Sequence, residues 1–138
     1  SKGLGFSKED RDINIARIGW VASRIARAGA VVVVSAISPY EEMRKHARAL
    51  VEPHAPFVEI YVATSVEECA RRDPKGLYAA AYAGELADFT GVSAPYEEPL
   101  DPEIRLETAG LTPPESAAIV LARLEELNLI PVEAEVEL

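Results

Sequence analysis

Arg72-Asp73-Pro74-Lys75-Gly76-Leu77-Tyr78 is a short basic loop broken by one glycine. A loop of that kind can fold over a polyanion. Pro74 helps aim Lys75, and a lysine beside Gly76 can reach an oxyanion. Charge on transferred phosphoryl oxygens is what a loose transition state needs neutralised. Arg72 offers a second cation for the same work, which makes Lys75 and Arg72 the candidate catalytic side chains. Taken alone, Lys75 and Asp73 also read as a solvent-facing charge pair of little consequence for stability. Downstream, Phe89-Thr90-Gly91 puts an aromatic on a glycine-bounded turn between polar neighbours, where its ring can stack on a base. Lid and ring together describe a nucleotide phosphate-transfer site.

Arg11 and Asn14 are three residues apart near the start of a predicted helix, so they project from one face, and the helix terminus adds partial positive charge. Such a pair can hold anionic oxygens and a sugar hydroxyl. Ile37 and Ser38 end an apolar run that reads as a parallel strand, and the carboxyl ends of such strands are where open α/β sheets meet ligands. Cys69, His46 and His54 have no ligand-like spacing, so no metal cluster is expected.

The elements that must position these residues follow from the pattern. Ser7 with Asp10 three positions on is a variant capping box, and Ile15, Ile18, Val21, Ala22 and Ile25 recur at helical spacing, predicting a helix to about Ala28 with Gly29 as its stop. The β-branched run at residues 30–37 lacks alternation, as a strand covered on both faces would. A charged helix over 40–52, a strand over 57–64 and a helix over 66–72 follow. An Ala-rich helix is predicted over 74–87, then an ordered loop over 88–102 and a strand over 104–108. Pro113 and Pro114 open a last helix. Alternating strands and helices predict an α/β fold with a mostly parallel sheet.

At 138 residues the chain is one domain's worth. Its net charge of -9 excludes a general nucleic-acid or membrane-surface role, which needs spread-out Lys and Arg, but allows a small anionic ligand met by a few local cations. A single cysteine cannot form an internal disulfide, and no signal peptide or long apolar run occurs. A soluble protein of the cytoplasm is expected.

Residues RDPKGLY with FTG and PYE, LGFSKEDRDINI at 4–15 and SAISPY at 35–40 stand in one order that resembles the adenylylsulfate kinase family. Those enzymes phosphorylate the 3'-hydroxyl of adenosine 5'-phosphosulfate with ATP. The resemblance implies a P-loop kinase fold, with ATP and Mg2+ as cofactors and a homodimer, in some members fused to a sulfate adenylyltransferase. It implies that Phe6 and Phe89 sandwich the adenine of the sulfonucleotide. Arg11, Asn14, Ile37, Ser38, Lys75 and Thr90 would complete that substrate site, with Thr108, Ala109 and Leu111 near the ATP adenine. Ser38 also matches a serine phosphorylated in some members.

Departures from the family pattern are as informative. Ala16 stands where the first of two arginines usually is, leaving Arg17 as a structural residue. The family's basic KKAR and IKGFTG become Ala79-Ala80-Ala81-Tyr82 and Leu86-Ala87-Asp88-Phe89-Thr90-Gly91, a less basic lid. No G-x-x-x-x-G-K-[ST] phosphate loop occurs in these residues. In the family that loop, its strand and a catalytic Asp precede LGFS, so residues 1–138 are expected to be the C-terminal portion of one kinase domain, inactive and poorly folded alone. The alternative is a non-catalytic module that binds the sulfonucleotide as a regulator. Another P-loop small-molecule kinase is a third reading, in which Phe6, Phe89 and ISPY have no purpose.

Overall fold

The computed structural model describes residues 3, 5 and 7–131. It forms two compact units, residues 1–57 with 66–100, and residues 58–65 with 101–138. Among the described residues no helix is long and apolar enough to cross a membrane.

In the first unit, helix α1 (Lys8–Arg27) starts where Ser7 accepts a hydrogen bond from the Asp10 N–H at 3.2 Å. The capping box is only half closed, because Asp10 Oδ2 accepts from the Gly5 N–H at 2.9 Å instead of turning back to Ser7. Helix α2 (Glu41–Val51) packs on α1. Their close approach depends on Gly19, where an added Cβ would lie 3.2 Å from the Ala47 Cα. Helices α3 (Val66–Arg72) and α4 (Leu77–Tyr82) follow. Helix α4 is shorter than the predicted 74–87, since Gly76 at its entry has φ 68° and Gly84 past its end has φ 77°. Both glycines hold left-handed turns that a helix cannot continue through.

The second unit is a parallel β–α arrangement. Strand β1 (Ile60–Val62) pairs in parallel with β2 (Ile104–Leu106), Ile60 opposite Ile104 and Val62 opposite Leu106. Each is shorter than its sequence run, and the ladder extends by the Ala63 N–H donating to the Leu106 carbonyl at 2.8 Å. Tyr61 and Ala63 are buried on one face of the pair, Ile104 and Leu106 on the other. Helix α5 (Pro113–Glu126) packs on β2 behind a full capping box, in which Thr112 and Glu115 each accept the other's backbone N–H. The sequence signal for that box was Thr112-Pro113-Pro114-Glu115.

One expectation is corrected. Residues 30–37 are not a strand of any ladder among the described residues, and Val31 and Val33 are 90% and 89% exposed. A strand needs a hydrogen-bonded neighbour, and β-branched composition does not supply one. Ile37 and Ser38 therefore lie at the end of an unpaired segment, not at a strand terminus.

That segment is nonetheless anchored at its end. Arg44 of α2 is buried and donates to the Ser38 carbonyl at 2.8 Å, to the Glu97 carbonyl at 2.7 Å and to Glu41 Oε2 at 2.6 Å. The Glu97 carboxylate accepts the Glu41 N–H at 2.7 Å, and the Glu97 N–H donates to the Pro39 carbonyl at 2.8 Å. Replacing Arg44 by Leu removes the donor of these part-buried bonds, a loss on the order of 3 kcal/mol. Urea denaturation of the full-length protein should show it; a change under 1 kcal/mol would mean those carbonyls reach water.

Candidate functional site

In the first unit, Arg11 and Thr90 of the predicted residues come together at the loop that carries Phe89. Arg11 lies in the first turn of α1 and is half-buried. Its guanidinium donates to the Asp88 carbonyl and to Thr90 Oγ1. Those two partners flank Phe89, so a single cation grips the residue on either side of the aromatic. The loop closes on itself as well. The Phe89 N–H donates to Ser93 Oγ at 2.9 Å, and the Phe89 carbonyl accepts from the N–H groups of Ser93 and Ala94 at 2.9 and 3.0 Å. The Phe89 ring meets the Tyr78 ring edge-on, centroids 5.0 Å apart at 76°. Phe89 is half-buried, which suits a ring with one side packed and another available. Phe6 lies outside the described residues. Asn14 is half-buried one turn along α1 from Arg11.

The lid owes its shape to Asp73. The Asp73 carbonyl accepts from the Gly76 N–H at 3.0 Å, closing the Pro74-Lys75 turn. Its carboxylate accepts from the N–H groups of Tyr78 at 3.1 Å and Ala79 at 3.0 Å. The Ala79 N–H above all, with Tyr78, holds this carboxyl below its ordinary range despite partial desolvation. The structure thus gives Asp73 a capping task in place of the charge pair with Lys75. Lys75 is exposed at the tip of the turn.

Arg72 is engaged within α3. Its Nε donates to Glu68 Oε1 at 2.7 Å, while Arg71 holds the same carboxylate with two bonds at 2.7 and 2.8 Å. Arg71 and then Arg72 lower the Glu68 carboxyl from 4.5 to about 2. A depressed carboxyl pKa stabilises above its unfolded value, so this helix-end cluster is intact at neutral pH and is lost only as pH falls from 4.5 toward about 2. Ser38 is half-buried with φ 42°, held there by Arg44, and Ile37 is 66% exposed.

Sequence reasoning missed two residues here. Arg44 went unremarked within the charged helix over 40–52, and acceptors that are carbonyls leave no mark in a sequence. Tyr78 was read only as part of a motif, although an aromatic directly after the lid glycine is a visible candidate for packing on Phe89.

In the second unit Thr108, Ala109 and Leu111 form a turn after β2. The Leu111 N–H donates to the Thr108 carbonyl at 3.2 Å, the Ala109 N–H to Glu107 Oε1 at 3.3 Å, and the hydroxyls of Thr108 and Thr64 share a hydrogen bond. Gly110, with φ 76°, permits the reversal. Among the described residues no group of three or more His, Cys, Asp or Glu could hold a metal ion.

Comparison with known proteins bears on all of this. The adenylylsulphate kinase family profile matches residues 1–107. The chain is 53% identical over 131 residues to the probable bifunctional SAT/APS kinase 2 of Sorangium cellulosum, covering 95% of this chain and 22% of that protein. It is 49% identical over 130 residues to the adenylyl-sulfate kinase of Rippkaea orientalis, covering 94% of this chain and 70% of that one. Among solved structures, the APS kinase CysC of Mycobacterium tuberculosis, in complex with AMPPNP and APS, superposes with a TM-score of 0.83 at 43% identity, covering 88% of this chain and 70% of that one. The α/β fold with its parallel sheet is therefore that of the P-loop kinases.

Asp88 occupies the glycine position of the IKGFTG pattern and has φ 55°, a left-handed conformation that costs most side chains about 1 to 2 kcal/mol. Asp bears that cost better than most. Asp88→Gly should therefore hold or raise stability, while Asp88→Ala should lower it by about 1 kcal/mol. Thermal melts of the two variants check this, and equal melting temperatures would show that the conformation carries no strain.

Proposed function

The chain belongs to the adenylylsulphate kinase family, and from that premise we propose that it serves the transfer of the ATP γ-phosphoryl group to the 3'-hydroxyl of adenosine 5'-phosphosulfate. The 3'-oxygen forms a bond to the γ-phosphorus as the bond from that phosphorus to the bridging oxygen of ADP breaks. ADP and 3'-phosphoadenosine 5'-phosphosulfate leave, the latter for sulfate assimilation. The hydroxyl proton goes to a carboxylate base, an Asp by family resemblance.

Support rests on one contact above all. Arg11, from the LGFSKEDRDINI motif, is bonded to the residues on both sides of Phe89, from the FTG motif, 77 and 79 positions away. Two motifs far apart in sequence and tied by a cation make one substrate pocket: Phe89 and Phe6 stack on the adenine, Arg11, Asn14 and Thr90 hold sugar and phosphosulfate, and the backbone of Ile37 and Ser38 borders them. A stacked base contributes roughly 1 to 3 kcal/mol per aromatic. Lys75, exposed at the tip of a turn pinned by Asp73, is free to meet the transferred phosphoryl oxygens. Arg72 must leave Glu68 to assist it, or else it steadies α3.

Thr108, Ala109 and Leu111 border the ATP adenine, and Mg2+ arrives on the ATP phosphates to neutralise their charge. The Sorangium relative's printed name supports fusion to a sulfate adenylyltransferase as one setting for this domain. We place the protein in the cytoplasm, as a homodimer. The less basic lid, with Ala79, Ala80 and Asp88, favours the second reading, a regulatory domain that binds the sulfonucleotide without turnover.

Lys75→Ala in the full-length protein separates the two. A charge placed where it develops in the transition state acts on rate more than on affinity. Turnover should fall on the order of 100-fold, by analogy with loss of one oxyanion donor, while the Kd for adenosine 5'-phosphosulfate moves only a few-fold. Tight binding with no turnover in the parent protein would establish the regulatory reading.

A further inference from the structure

Tyr78 sits where three segments meet. Its backbone N–H is held by Asp73 Oδ1 at 3.1 Å, two residues after the Lys75-Gly76 turn begins to form α4. Burial, and then the neighbouring Cys69 of α3, push its phenol above the ordinary range. Its ring packs edge-on against Phe89, centroids 5.0 Å apart. The tyrosine is half-buried and belongs to none of the substrate contacts named above.

The backbone of the Phe89 loop is already fixed by Arg11 and Ser93, but those bonds leave the ring free to rotate. The Tyr78 edge removes that freedom, because a T-shaped partner favours one tilt of the ring. Tyr78 itself is fixed by the same carboxylate that caps the lid helix. The tilt of Phe89 therefore depends on the lid being folded.

We propose that Tyr78 is a positioning residue that couples the Lys75 lid to the Phe89 ring, so that ordering the lid and presenting the ring to a purine are one event. This rests on the reading of Phe89 as the ring that stacks on the sulfonucleotide base. A ring ordered before binding does not lose its rotational freedom when the ligand arrives, so affinity for the sulfonucleotide rises. ATP gains little in binding, because its adenine meets other residues and Lys75 acts on its γ-phosphoryl group chiefly in the transition state.

The test is calorimetric titration of the full-length protein with adenosine 5'-phosphosulfate, beside initial rates with ATP varied. Tyr78→Leu should raise the sulfonucleotide Kd about tenfold, the size of one aromatic pair contact, and leave the KM for ATP within about twofold. Tyr78→Phe should restore near-parent affinity, since the ring edge does the positioning. Combining Tyr78→Leu with Phe89→Leu should weaken binding no further than Phe89→Leu alone. Independent, multiplying effects, or an equal loss for ATP and sulfonucleotide, would overturn the coupling. If Phe89→Leu leaves the Kd unchanged, the stacking reading itself falls. Should Tyr78→Leu fail to fold, Asp73→Asn loosens the same helix from outside the ring pair and must raise the same Kd; an unchanged value overturns the proposal.

Discussion

A guanidinium cannot lose water without finding acceptors, and Arg44, 8% exposed, finds them in the carbonyls of Ser38 and Glu97 and the carboxylate of Glu41. That requirement organises the first unit. Ser38 ends an apolar segment that has no ladder of its own among the described residues, so the segment's end is set by a side chain instead of by a sheet. Glu97 belongs to the loop that returns from Phe89. By meeting both, Arg44 fixes the spacing of two segments that the proposed pocket needs. The reciprocal bonds between Glu97 and the backbone at Pro39 and Glu41 make the junction a closed ring of polar contacts. Such a ring is worth more intact than its separate bonds suggest, because losing an acceptor strands the buried Arg44 guanidinium.

A second cation repeats the device on the other side of the loop. Arg11 holds Asp88 and Thr90 as Arg44 holds Glu97, so the segment from 88 to 97 is tied at both ends by arginines from α1 and α2. Between the two ties, a loop without regular structure keeps Phe89 against Tyr78. Rigidity here comes from the arginine bonds at the two ends together with the loop's own backbone bonds to the Phe89 carbonyl.

The same chemistry explains what the sequence disclosed. The caps of α1 and α5 were legible because their signals are local, Ser7 and the two prolines acting on the residues beside them, whereas Gly76 and Gly84 cut α4 shorter than the 74–87 predicted. The motif residues Arg11, Phe89 and Thr90 were legible as a set, through resemblance, though not the bond that joins them. Residues 30–37 misled because β-branched composition marks a segment suited to a sheet without stating where its neighbour lies. Arg44 was invisible for a different reason: two of its three acceptors are backbone carbonyls, identical at every position. Asp73 was ambiguous, since a carboxylate beside a lysine and a carboxylate before a short helix read alike until coordinates show which N–H groups it faces.

Arg44 holds the 38–41 turn and the 95–97 segment as one body, and amide hydrogen exchange of the full-length protein reads this directly. The Glu41 and Glu97 amides, bonded across the junction at 2.7 and 2.8 Å, should exchange at matched slow rates in the parent protein. Both should speed up together by at least tenfold in Arg44→Lys, which keeps the charge but cannot span three acceptors in one plane. If the two amides exchange independently, or if Arg44→Lys leaves them unchanged, the junction does not depend on Arg44 and the account is contradicted.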